Sequence, residues 1–369
     1  MALEFTDEQL ALRDTVRKYL ADRAPVSYVR SLYEDPVHGT TAEVWQGLVD
    51  LGLTAILVPE ADGGLGLGLA DMTLVVEELG RALHPGPFFS SAVAATLAIT
   101  QVGDAGDRAA LLPALAAGER TASLALLEPG HGSAWYSPAT AATPDGDGWS
   151  LSGAKAHVPD GAAVDTLLVT AAAPDGLGLF AVEASHATSC DAEVVLDGSH
   201  KQATITFDAT PARRIGTGDC TAPLGRALDQ IALLTVVDGV GAADAALQIC
   251  LEYARARIAF GKPIGSFQHV QRLCVEMYQA VEMCRAAGYF GAFTADAGEA
   301  DECHRVALVA KSYAGRGLIT VANNAIQVHG GVGATWEHDI HLYYKRCVTD
   351  AATYGDAFTA TDELAALVI

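Results

Sequence analysis

The spacing of apolar residues changes character twice along this chain of 369 residues. Over 4–120 the period is helical. Thr6 and Gln9 fit a capping box, with Leu10, Val16 and Leu20 on one face behind it. Trp45, Leu48, Val49 and Leu53 predict a second amphipathic stretch, residues 70–83 a further helix, and Leu111 to Ala117 a short one. From 121 to 222 short runs such as TASLALLEP, VDTLLVTA and QATITFD, bounded by Gly, Pro and Asp, predict a β domain built as a barrel or sandwich. From 223 to 369 helical periodicity returns, with long helices expected over 225–257, 266–297, 302–329 and 337–353. The predicted fold is α+β with three domains: 1–120, 121–222 and 223–369.

Composition narrows the possible functions. Half the residues are hydrophobic, 18% are charged, and the net charge is 23 − 45 = −22. A nucleic-acid or anionic-membrane surface needs clustered Lys and Arg, which this balance argues against. The dispersed acids and high apolar content also argue against disorder. Seven cysteines without CxxC spacing predict reduced thiols rather than a disulfide frame or a metal site. With no signal-like N-terminus and no uninterrupted apolar run of about 18 residues, the expected location is cytoplasmic, without a membrane span. The loop ADGGLGLG lacks the strand, helix and downstream acid of a nicotinamide fingerprint, so it is expected to be a loop.

Several motifs, in order, resemble the acyl-CoA dehydrogenase family. They are Val58-Pro59-Glu60 with Gly63-Gly64-Leu65-Gly66, then Leu127-Glu128-Pro129-Gly130-His131-Gly132-Ser133 (T-E-P-G-x-G-S), then Ser152-Gly153-Ala154-Lys155. Arg257 to Ile264 is similar to R-x-x-F-G-x-x-I, followed by Phe267-Gln268. Gln327 to Gly333 matches Q-x-x-G-G-x-G, and Asp350-Ala351 with Tyr354 resembles R-D-A…Y-E-G. The resemblance implies an N-terminal helical domain, a central β domain and a C-terminal four-helix bundle. It also implies FAD held between the β domain of one subunit and the helices of another, a dimer or tetramer, an acyl-CoA substrate and an electron-transfer flavoprotein as acceptor. By the same resemblance Arg257, Phe260, Gln268, Gln327, Gly330 and Gly331 are the cofactor-binding residues of the helical side. On the β side Leu127 stands where a threonine meets the flavin, and His157 where an aromatic residue of W-I-S/T does.

α,β-Dehydrogenation needs a base for the α-proton and an acceptor for the β-hydride. Gly355 occupies the position of the family's usual base, the Glu of Y-E-G, and Ile231 the second family position. Two carboxylates are candidates. Asp238 lies seven residues after Ile231 on the same helical face, alone in the apolar run IALLTVVDGVGAA. It is either a desolvated base or a buried carboxylate satisfied by a partner. Asp356 follows the missing Glu by one residue. Three functions are therefore open: a FAD-dependent acyl-CoA dehydrogenase, a partner subunit of a heteromeric one, or a flavin oxidase of the same fold. The alanines at 242, 243, 245 and 246 suggest either room for a bulky acyl chain or close helix packing.

Overall fold

The structure, a computed structural model, describes residues 4–298 and 300–369. The chain divides into two compact units.

One unit takes residues 30–68 and 85–231. It holds helices α2 (Val26–Leu32, in its last residues) and α3 (Ala42–Asp50), and strands β1 (Ala122–Ala125), β2 (Ala141–Asp145), β3 (Gly148–Pro159), β4 (Thr166–Ala173), β5 (Gly176–Glu183), β6 (Ser189–Ala192) and β7 (Gln202–Ile215). Strand order is β1-β4-β2-β3-β7-β5, and β5 also pairs with β4. The path β4-β2-β3-β7-β5 thus returns to its start and closes a barrel, leaving β1 and β6 as flanking strands. Alternate residues face inward, so Leu151, Val169, Phe180, Val182, Ala203 and Ile205 fill the interior. Between Lys155 and Val158 the β3–β7 register shifts, which marks a bulge at Ala156 and His157.

The other unit takes the chain up to Val29, Leu69–His84 and Ala232–Ile369. Its helices are α1 (Asp7–Arg23), α4 (Leu69–Arg81), α7 (Thr221–Ala256, from Ala232 onward), α8 (Gln268–Asp296), α9 (Ala300–His329), α10 (Ile340–Ala352) and α11 (Ala357–Val368). Helices α5 (Thr96–Val102) and α6 (Ala105–Ala116) belong to the barrel unit. The Thr6–Gln9 capping box forms as its spacing predicts.

Small residues let α4 and α7 meet. A Cβ on Gly80 would lie 2.0 Å from the Asp238 carbonyl oxygen, and one on Gly241 would lie 1.9 Å from that of Glu77. Ala242, Ala243 and Ala246 are core residues. Packing therefore accounts for the run of small residues, and the suggestion of room for a bulky acyl chain loses its support. Ion pairs hold the same crossing: Arg81 Nη2 meets Asp244 at 2.6 Å, and Arg285 Nη2 of α8 bridges Glu77 at 3.2 Å and Asp244 at 3.3 Å.

By length and hydropathy α7 resembles a membrane span, but 83% of its apolar window is buried within the protein, as in a core helix. All seven cysteines are free thiols, and only Cys190 is exposed.

Candidate functional site

On the helical unit, the segment after α7 forms a small projecting hairpin. Ile258–Ala259 (β8) pairs antiparallel with Lys262–Pro263 (β9), and Phe260 and Gly261 turn between them with φ of 50° and 79°. Two positive φ values fit the twist of a two-residue hairpin, but they strain a phenylalanine. The Phe260 ring is 96% exposed, touching Phe267 edge-on with 6.1 Å between centroids. Arg257 leads into this hairpin. It is exposed, and none of its side-chain atoms hydrogen-bonds or ion-pairs with a described residue, although its backbone is fixed by Tyr253 and Ile264. Gln268 is exposed at the first turn of α8, and Gln327 near the end of α9. The following glycines form a turn in which a Cβ at Gly330 or Gly331 would touch nothing, so the backbone there is open to close approach. These segments present an uncommitted cation, an exposed ring, free amides and open glycine backbone.

The β side has a different chemistry. Leu127 and His157 come together through the Ala156 N–H, which donates to the Leu127 carbonyl at 2.9 Å. Leu127 is half-buried and offers no hydroxyl. His157 points outward on the bulge, and its continuation Val158-Pro159 lacks the hydroxyl of the W-I-S/T pattern.

Beneath this edge lies a buried ion pair that the sequence motifs contain without revealing. The Lys155 ammonium, fully buried, donates to Glu128 at 2.8 Å, to the Leu126 carbonyl at 3.1 Å and to Thr170 at 3.0 Å. The backbone N–H groups of Ala139 and Thr140 donate to the same carboxylate. Burial pushes the Glu128 carboxyl up, but Lys155, Thr140 and the two amides outweigh it and hold it down at about 2. Because this lies below its ordinary value of 4.5, the pair's contribution is complete above pH 4.5 and is lost as pH falls through 2. Acid unfolding followed by far-ultraviolet circular dichroism is expected to steepen over that window in the wild type. In Lys155→Met, which strands the carboxylate, stability is expected to drop by about 3–5 kcal/mol at neutral pH.

Neither candidate base is free. Asp238, on α7, is 5% exposed and accepts a hydrogen bond from Arg346 Nη1 at 2.8 Å, while Arg346 Nη2 donates to the His84 carbonyl at 3.2 Å. Of the two readings, the structure builds the carboxylate satisfied by a partner, the Arg346 guanidinium. Asp356 is the N-cap of α11. It accepts from the N–H groups of Phe358 and Thr359 at 2.7 and 3.1 Å and from the Thr359 hydroxyl at 3.0 Å. The Thr359 N–H leads the contacts that lower its carboxyl below the usual range. A carboxylate committed to a helix N-terminus is a weak base.

Gly355, at the position of the missing Glu, has φ 108° with open space around it, and Tyr354 precedes it at φ 53°. This turn is tied down by Lys311 of α9, whose buried ammonium donates to the carbonyls of Asp350 at 2.9 Å and Thr353 at 2.8 Å. Desolvation pushes that lysine down to about 8. Lys311 and Arg346 stand in no motif of the sequence, and Glu128 stands in one that does not reveal its pairing with Lys155. Only the helix cap had a local signal, an Asp three residues before a Thr at the start of AFTATDELAALV.

A helical N-terminal segment, a closed β barrel and a C-terminal set of long helices together define an acyl-CoA dehydrogenase architecture. The chain belongs to the acyl-CoA dehydrogenase family. Residues 6–119 match the family's description "Acyl-CoA dehydrogenase, N-terminal domain" and residues 224–362 "Acyl-CoA dehydrogenase, C-terminal domain". Acyl-CoA dehydrogenase IpdE2 of Mycobacterium tuberculosis is 30% identical over 347 residues, covering 92% of this chain and 91% of that protein. Acyl-CoA dehydrogenase FadE34 of the same organism is 34% identical over 94% of this chain, which spans 46% of FadE34's length. Among solved structures, a variant of the Tcur3481–Tcur3483 steroid ACAD is similar at 34% identity and TM-score 0.88, covering 98% of each chain. A glutaryl-coenzyme A dehydrogenase in complex with glutaryl-CoA shares the fold at TM-score 0.92, with 24% identity.

Proposed function

We propose that this chain is one subunit of a heteromeric, FAD-dependent acyl-CoA dehydrogenase that catalyses α,β-dehydrogenation of an acyl-CoA thioester, with electrons leaving to an electron-transfer flavoprotein. The observation that carries this reading is the Tyr354-Gly355-Asp356 turn. It has no carboxylate at the base position, a backbone conformation suited to glycine there, and an adjacent Asp spent on capping a helix. With Asp238 paired to Arg346, the chain itself offers no uncommitted base at the family positions. The α-proton is then taken by a carboxylate of the partner chain. The similar steroid ACAD Tcur3481–Tcur3483, 34% identical, is named for two proteins, which supports the same reading.

The family generally holds FAD, and the residues present fit it. Arg257 would neutralise pyrophosphate charge, Gln268 and Gln327 would donate amide hydrogen bonds, and Gly330 and Gly331 would let backbone approach the phosphates. Phe260 would cover apolar surface of the cofactor. When bound, FAD supplies the hydride acceptor. This chain's part is to hold, orient and shield.

The test is expression of the chain alone and together with a second acyl-CoA dehydrogenase chain encoded in the same organism, followed by anaerobic addition of an acyl-CoA. Flavin bleaching at 450 nm (the visible band of any oxidised flavin) is expected only in the co-expressed complex. A yellow preparation of the chain alone that bleaches at a comparable rate would refute the reading.

A further inference from the structure

On the β bulge, three independent features converge on one imidazole. His157 has φ 54°, a region that non-glycine residues enter at a cost and keep only when their surroundings enforce it. The enforcing group is Glu193, just beyond β6. One carboxylate oxygen accepts the His157 backbone N–H at 2.9 Å and the Thr204 hydroxyl at 2.6 Å; the other lies 2.6 Å from His157 Nδ1. Glu193 is in turn anchored by its own N–H, which donates to the Gln202 carbonyl at 2.8 Å. Burial pushes the Glu193 carboxyl up, but Thr204 and the His157 amide and ring bring it below its usual range, so it stays an acceptor. The imidazole side chain is 59% exposed, the carboxylate 19%, and His157 Nε2 has no hydrogen-bond partner among the described residues.

We propose that Glu193 and His157 form a carboxylate–imidazole dyad, and that its outward Nε2 is the hydrogen-bonding group this chain offers to the ring of a flavin bound against β3. The inference rests on the FAD reading above. A carboxylate on Nδ1 fixes the ring's orientation and holds the Nδ1 proton, which is donated to Glu193, so that Nε2 is left as the outward polar atom. Where an aromatic face would meet a flavin by stacking, the dyad adds a directed polar atom held in a fixed orientation. Glu193 acts through His157 and is a positioning residue. The bulge, the strained φ and the double hydrogen bond from one side chain to both the backbone and the ring of another serve that single outcome.

The experiment is diethylpyrocarbonate labelling of the complex as purified, before and after FAD is stripped, with the modified histidines mapped by peptide mass spectrometry. The reagent reads the free imidazole nitrogen. His157 is expected to label several-fold more slowly in the FAD-loaded protein than in the stripped one, with protection restored by adding FAD. Glu193→Leu, which releases the ring, is expected to reduce that protection and to weaken FAD binding by about 2- to 10-fold, while Glu193→Gln, which keeps an acceptor, recovers most of both. Equal labelling of His157 with and without bound FAD would overturn the dyad's role while leaving the flavin reading intact. A complex that neither contains nor takes up FAD would remove the flavin reading itself, and this proposal with it.

Discussion

Replacing Arg346 by methionine is expected to lower the stability of the helical unit by about 3–5 kcal/mol, because it leaves the Asp238 carboxylate buried without its counter-charge. Arg346 is 1% exposed and its guanidinium serves Asp238 and the His84 carbonyl together. Asp238→Leu alone is expected to be costly for the converse reason, a buried cation that loses its carboxylate. The double variant Arg346→Met/Asp238→Leu is expected to recover a large part of the loss, since removing both charges removes the desolvation penalty on each. Urea unfolding of the four proteins checks this. A catalytic Asp238 would give another pattern: Asp238→Leu would keep full stability and lose only flavin reduction.

Arg257→Ala has the opposite signature. The side chain is exposed and supports nothing else among the described residues, so unfolding is expected to change by no more than about 0.5 kcal/mol. FAD retention, however, is expected to fall by about 10- to 150-fold, the range for losing a charge-assisted contact to phosphate. Fluorescence titration of stripped protein with FAD measures it directly. Stoichiometric FAD held as tightly as in the wild type would contradict the pyrophosphate role.

The order of helices, strands and helices was legible because apolar periodicity reports burial, and burial is what the folded chain imposes on its sequence. Long amphipathic segments such as α8 and α9 were placed to within a few residues. Alpha11 was not, since its start is marked by a single capping Asp that also invites a catalytic reading. The barrel's closure through the β5 pairings was also hidden, because strand runs show where strands lie and not which edges meet. At the site, the exposed residues Arg257, Phe260 and Gln327 stand in local motifs and were found from them. What stayed invisible were the partnerships across long sequence separation. Arg346 lies 108 residues from Asp238, and Glu193 lies 36 from His157. Neither carries a local spacing signal, and in both cases the partner decides what the motif residue can do. Asp238 illustrates the consequence: isolation in an apolar run is the same pattern for a desolvated base and for a paired carboxylate, and only the guanidinium distinguishes them.

The most direct measurement is native mass spectrometry of the tagged chain purified from its own organism, combined with flavin quantification. A complex of this chain with a different acyl-CoA dehydrogenase polypeptide, carrying FAD, is the expected result. A homo-oligomer with one FAD per chain that is fully reduced by an acyl-CoA would contradict the account, for it would require a base that the Gly355 turn, Asp356 and Asp238 do not supply.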